Sequence, residues 1–210
     1  MTYEYTDKMI TYIDKQLIKR YSRLKSLVSF DELSVLNEVN TLYRELYGIV
    51  KKSFLLLANQ VYSHTTQRKS YRDLDEEWID YLLTGYDPVS KYVFAHEMDR
   101  KCARLIEAII SSDTKAQEID AALRSMSFMC RTYADRVTDE ATMQAYNDDG
   151  VQLVKWVAER DEKTCSVCKK RDGRIYSIHL VPPDPHPNCR CQREKGCKYE
   201  VRKTVYPGGR

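Results

Sequence analysis

From residue 33 to residue 61 the apolar side chains Leu33, Leu36, Val39, Tyr43, Leu46, Val50, Phe54, Leu57 and Val61 recur at steps of three and four. That period returns them to one face of an α-helix, whereas a half-buried strand needs strict alternation. A helix this long, with one apolar stripe, must bury the stripe against other helices and can brace a whole domain. Ser29, with Glu32 three residues on, forms a capping-box pattern at its start.

The flanking segments supply partners. Ile10, Ile13, Leu17, Tyr21 and Leu24 mark a helix over residues 3–24. "HTTQRKSYRDLDEE" breaks the pattern as a polar loop, and a short helix is expected over 78–83, ended by "TGYDP". The Asp87-Pro88 pair is expected to open a helix running to about residue 111. Asp113 is placed to cap another, in which Ile119, Leu123, Met126, Cys130, Tyr133 and Val137 share a face. Gly150 in "NDDG" can close that helix in left-handed geometry. Residues 1–150 therefore read as an all-helical body of four or five helices, with Cys102 and Cys130 as small buried hydrophobes. The 16 tyrosines suit half-buried helix positions or partner contacts equally well.

After Gly150 the character changes. "VQLVKWVA" is rich in β-branched residues, and "GRIYSIHLV" alternates after an Asp-Gly turn signal. Two short strands flanking a Cys-x-x-Cys turn are predicted, followed by the proline-held loop "VPPDPHP". The fold class is thus mainly α with a small C-terminal α+β module. Charge divides at the same place: residues 1–150 carry 20 Lys/Arg against 24 Asp/Glu, and residues 151–210 carry 14 against 7, a net +7. Such asymmetry points the C-terminal part toward a polyanion or an acidic surface.

No export or membrane segment is expected, because the N-terminus is polar and "FLLLA" is far short of a span. A protein made in a cytosol keeps its thiols reduced, so clustered cysteines read as metal ligands or reactive groups before disulfides. Four of the 7 cysteines and two of the 4 histidines fall between Cys165 and Cys191. Cys165-x-x-Cys168 is one short-range pair and His186-x-x-Cys189 a second, with Cys191 close behind. Two such pairs are how a tetrahedral structural zinc site is assembled, and full ligation leaves no open position for catalysis. The first choice of ligands is Cys165, Cys168, His186 and Cys189, with Cys191 as the alternate to Cys189; Cys197 reads as free and His179 as a strand residue. A metal worth an apparent ~10–16 kcal/mol would decide whether so small a module folds.

Other chemistries fit less well. A zinc deaminase needs His-x-Glu ahead of its cysteines, the reverse of the order here. A thioredoxin-like pair needs a helix start in a βαβ setting, whereas the surroundings of Cys165 read as strand, turn, strand. "HEMDR" at His96 lacks the second histidine of a metalloprotease helix.

Trp156, Asp161, Thr164, Cys165-x-x-Cys168, Asp172-Gly173, Pro182-Pro183 and "HPNCRC" stand in the order and spacing of a known pattern. In these residues the chain resembles the phage Mu F-like minor head proteins, also called phage head morphogenesis proteins. The resemblance covers about 40 residues, 156–191, and leaves the helical body without a diagnostic motif. It implies a virion component rather than an enzyme, made in the bacterial cytoplasm and sited at the portal vertex inside the capsid. Its implied partners are the portal protein, a capsid or scaffold protein, and packaged DNA. It also implies that the cysteines and His186 hold metal, that Trp156 packs behind the metal turn, that Asp172-Gly173 forms the hairpin turn, and that Arg190 is structural or contacts a partner.

The expected organisation is a helical body over 1–150, a zinc-binding module over 151–191 and a mobile basic tail over 192–210. The tail holds six Lys/Arg against two Glu, with Arg193, Lys195, Lys198, Arg202 and Lys203 as candidate phosphate contacts. Two competing readings are a zinc-dependent hydrolase or nuclease, and a host zinc-binding nucleic-acid module. Against the first stands the lack of a recognisable nucleophile, base or carboxylate constellation near the cluster.

Overall fold

In the computed structural model residues 2–27, 32–67, 72–87, 92–158, 162, 164–182 and 198–201 are described. The chain is mainly helical. Among the described residues five helices form the body: α1 (Thr2–Leu27), α2 (Glu32–Thr65), α3 (Glu76–Thr84), α4 (Phe94–Ser111) and α5 (Lys115–Asp148). The long helices α1, α2 and α5 pack pairwise on one another, α4 lies against α2 and α5, and α3 bridges α2 and α4.

The predicted stripes form the core. Ile10, Ile13, Leu17, Tyr21 and Leu24 of α1 meet Val39, Leu46, Val50, Phe54, Leu57 and Val61 of α2, and Ile119, Met126, Cys130, Tyr133 and Val137 of α5. Phe94 brings α4 into it, with ring centroids 4.5 Å from Tyr133 and 5.9 Å from Phe54. Two buried hydroxyl pairs cross the bundle, Thr6 with Thr138 at 2.9 Å and Tyr21 donating to Tyr43 at 3.0 Å. One end of the α2 stripe differs from expectation. Val35 is buried, and Leu33, two residues or about 200° away around the helix, is 69% exposed.

Helix ends show where local chemistry decides. Asp75 caps α3 by accepting from the Trp78 N–H at 3.1 Å. Gly150 has φ 78; its N–H donates to Asn147 O and that of Val151 to Tyr146 O, the two bonds of a Schellman motif. Asp149 then accepts from Thr66 Oγ1 and the Gln67 N–H, tying the end of α5 to that of α2. The expected Ser29 cap lies outside the described residues.

Two expectations for the body need correction. The Asp87-Pro88 pair does not begin a helix: Tyr86–Asp87 (β1) pairs antiparallel with Tyr92–Val93 (β2), and α4 starts only at Phe94. A residue before proline is pushed out of the α region, which leaves Asp87 extended. Asp113 does not cap α5 either. Thr114 holds that position without a side-chain capping bond, and its N–H donates to Ser112 Oγ.

The C-terminal module is a three-stranded antiparallel sheet in the order β4-β3-β5, built from Leu153–Val157 (β3), Ile175–Ser177 (β4) and Lys198–Val201 (β5), with the short helix α6 (Ser166–Arg171) between β3 and β4. Within the stretch expected as a mobile tail, Lys198–Val201 forms the strand β5. Val154, Trp156 and Val157 pair with Val201, Tyr199 and Lys198, giving the second edge of β3 a partner for its backbone groups. Among the described residues no helix is long and apolar enough to cross a membrane.

Candidate metal-binding module

The module forms around Trp156. Burial alternates along β3, with Val154 and Trp156 inward and Leu153, Lys155 and Val157 half-buried. Trp156 donates its N–H to Arg174 O at 2.8 Å and accepts from the Gly173 N–H at 2.9 Å, fixing it in the sheet. Its side chain is fully buried with Ala158 and Cys168, and Cys165 and Tyr176 pack against that cluster. The Tyr176 ring meets it edge-on at 6.4 Å, and the Arg171 guanidinium lies 4.9 Å from the indole centroid.

Cys165 and Cys168 sit at the start of α6. Cys165 is the half-buried N-cap; its backbone is extended and its Sγ accepts from the Cys168 N–H at 3.4 Å. That N–H faces the sulfur that would carry charge in a metal thiolate. Cys168 is fully buried one turn on, with its carbonyl accepting from the Asp172 N–H at 3.0 Å. The expected turn between strands is therefore a helix. Cys-x-x-Cys does begin a helix, as a redox pair requires, but β3 and β4 are antiparallel, so the βαβ setting is absent.

Asp172-Gly173 also differs from expectation. It joins α6 to β4 and is not a hairpin turn between two strands. Asp172 at φ −51, ψ 127 followed by Gly173 at φ 78, closed by Arg174 N–H to Arg171 O at 2.9 Å, is a type II turn, which needs positive φ at its third residue. The Asp172 carboxylate accepts from the Ala158 N–H at 3.1 Å, holding the end of β3 to the turn. His179 lies in a 3-10 turn, Ile178–Leu180, and is exposed, rather than on a strand. Leu153, the first residue of β3, pairs with Ser177, and the Ile178 N–H bonds Gln152 O at 3.0 Å where the 3-10 turn begins.

The described residues bring together Cys165, Cys168, Trp156, Asp172 and Gly173. His186, Cys189, Cys191, Arg190, Arg193, Lys195, Arg202 and Lys203 lie outside them, and Lys198 is placed by its backbone in β5. Among the described residues no three His, Cys, Asp or Glu side chains converge to hold a metal ion. Cys165 and Cys168 are two soft sulfur donors of the type zinc takes, and a tetrahedral site built on them would need two more ligands. In sequence His186, Cys189 and Cys191 fall between β4 and β5, the strands that pair with opposite edges of β3.

The remaining described cysteines are in the body. Burial pushes the Cys130 thiol up to about 12, as expected of a hydrophobe. Cys102 is only half-buried, on a cleft of about 770 Å³ between α2 and α4, where its Sγ meets Asn40 Oδ1 at 3.6 Å. On α5, burial pushes the Asp135 carboxyl up to about 7, opposed by Arg131 and reinforced by Asp7.

The role of Arg171 was not anticipated. Its only signal in the sequence is the run Lys169-Lys170-Arg171 before the Asp-Gly turn. Comparison of the chain with protein-family models, with curated proteins and with solved structures finds no match in any of the three.

Proposed function

We propose that the chain is a non-enzymatic minor head protein of the phage Mu F-like type, acting in head morphogenesis at the portal vertex inside the capsid. In this reading the helical body presents the docking surface, and the C-terminal module is held by one structural zinc bound by Cys165, Cys168, His186 and Cys189 or Cys191. Zinc there supplies folding energy to a small core and no reaction step. The portal protein is the principal partner, with contact to packaged DNA through the basic C-terminal part.

One observation carries most of the support. Trp156, Cys165, Cys168, Asp172 and Gly173, which belong to the pattern behind the resemblance, meet around a single small core with the two thiols one helical turn apart. A chance assortment of motif letters has no reason to converge in this way. The test is co-expression with the portal protein of the same phage or prophage. A complex that survives purification at several salt concentrations is expected, and no association under any of them would overturn the reading.

A further inference from the structure

The cations at the corner between α6 and β4 are unlike those along the helix seams of the body. In the body, Arg20, Arg23, Lys25 and Lys51 are matched by Glu45, Glu38, Asp120 and Asp80. At the corner, Lys169, Lys170 and Arg174 are exposed and, among the described residues, none of them and not Arg171 makes an ion pair. The nearby Asp172 carboxylate is engaged by the Ala158 N–H. The Arg171 guanidinium carbon lies 4.9 Å from the ring centroid of buried Trp156, and its Nη1 is buried with no hydrogen-bond acceptor. Basic residues at a helix end complement the helix dipole, but a helix of only 6 residues does not call for a cluster that continues past it to Arg174.

We propose that Lys169, Lys170, Arg171 and Arg174 form a binding site for the phosphate backbone of nucleic acid, with Arg171 as its rigid element. This goes beyond the tail residues considered above and rests on the head-protein reading only for the identity of the polymer. Phosphate is favoured over an acidic protein surface because lysine is depleted from protein interfaces, whereas exposed clustered lysine and a stacked guanidinium suit phosphate. Trp156 is fully buried and unavailable to stack on bases, so the contact is to the backbone and independent of sequence.

The test is fluorescence anisotropy of a labelled mixed-sequence duplex with the full chain, kept reduced, across a salt series. Replacing Lys169, Lys170 and Arg174 together by Gln removes three cations at about 0.9 each from the slope of log affinity against log salt. The loss of affinity between 50 and 200 mM salt should then be roughly fortyfold smaller than for the unaltered chain. Lys169→Gln or Arg174→Gln alone should each lower the slope by about 0.9, which keeps the test open if the triple variant folds poorly. Arg171→Lys should keep the slope and weaken binding. Absence of duplex binding at 50 mM salt, or an unchanged slope in the variants, overturns the proposal. So does equal capture of poly-L-glutamate, which would assign the corner to an acidic protein surface. Portal association is measured alongside: portal binding by the unaltered chain with no duplex binding would sink this site and leave the docking reading standing.

Discussion

Replacing Gly173 by alanine tests the module's turn through a single backbone effect. Gly173 sits at φ 78, and a Cβ added there would meet no atom within 4 Å. The cost is then purely conformational, about 1–2 kcal/mol for an L-residue in the left-handed region. Asn, which tolerates that region through local hydrogen bonding, should cost less than Ala. The chain has 2 tryptophans, Trp78 in α3 and Trp156 in the module core, so a Trp78→Phe background leaves Trp156 emission as a reporter of the module. In urea, with a slope near ~1 kcal/mol/M for so small a unit, Gly173→Ala should lower the Trp156 midpoint by roughly 1 M. Gly150→Ala is the internal control, with the same φ of 78 and the same open space, but at the end of α5. It should shift the helical circular dichroism transition instead. No shift for Gly173→Ala would refute the type II turn, and a loss beyond ~3 kcal/mol would refute the open space around it. Equal movement of both probes by both variants would show that body and module unfold as one unit.

Two further outcomes follow from the body. Phe54→Ala removes a fully buried ring packed against Phe94 and Tyr133 and should destabilise the helical transition by about 3–5 kcal/mol, read by thermal or urea unfolding; a cost under ~1 kcal/mol would contradict the aromatic core. Asp135 binds its proton more tightly folded, at about 7, than its ordinary 3.8. Its contribution to stability is therefore fully present below about pH 4 and is lost as pH rises through 7. Asp135→Asn should flatten that part of the stability profile and raise stability at pH 8 by about 2 kcal/mol, allowing for the partial exposure of the group. A profile identical to that of the unaltered chain would contradict the raised value.

The body was legible in the sequence because its helices are long and their apolar residues recur with one period. The stripes of α1 and α5 are buried almost residue for residue, and Gly150 closes α5 with the expected hydrogen bonds. Reading failed where a few residues with local preferences are overruled by neighbours. Asp87 is pulled into a two-residue strand by the proline after it and by pairing with Tyr92. Leu33 looked continuous with the stripe because three-and-four spacing tolerates a slow drift around the helix, yet Val35 takes the inward place. In the module, Cys-x-x-Cys was read as a turn since six residues are too few for a helical period to show. The strand β5 is hidden for a different reason: "KYEV" is too short and too charged to stand out, and what makes it a strand is the unpaired edge of β3, some forty residues earlier. The spacing of the cysteines is plain in the sequence, and Cys165 and Cys168 meet around Trp156.

The most direct test of the zinc-held module is native mass spectrometry of the full chain, purified under reducing conditions without added metal, with thiol state read in the same spectra. The account predicts a single zinc per chain and reduced cysteines, and after chelation a Trp156 emission shifted toward that of exposed indole while helical circular dichroism persists. A metal-free chain carrying a Cys165–Cys168 disulfide would contradict it and make the pair at the start of α6 a redox site.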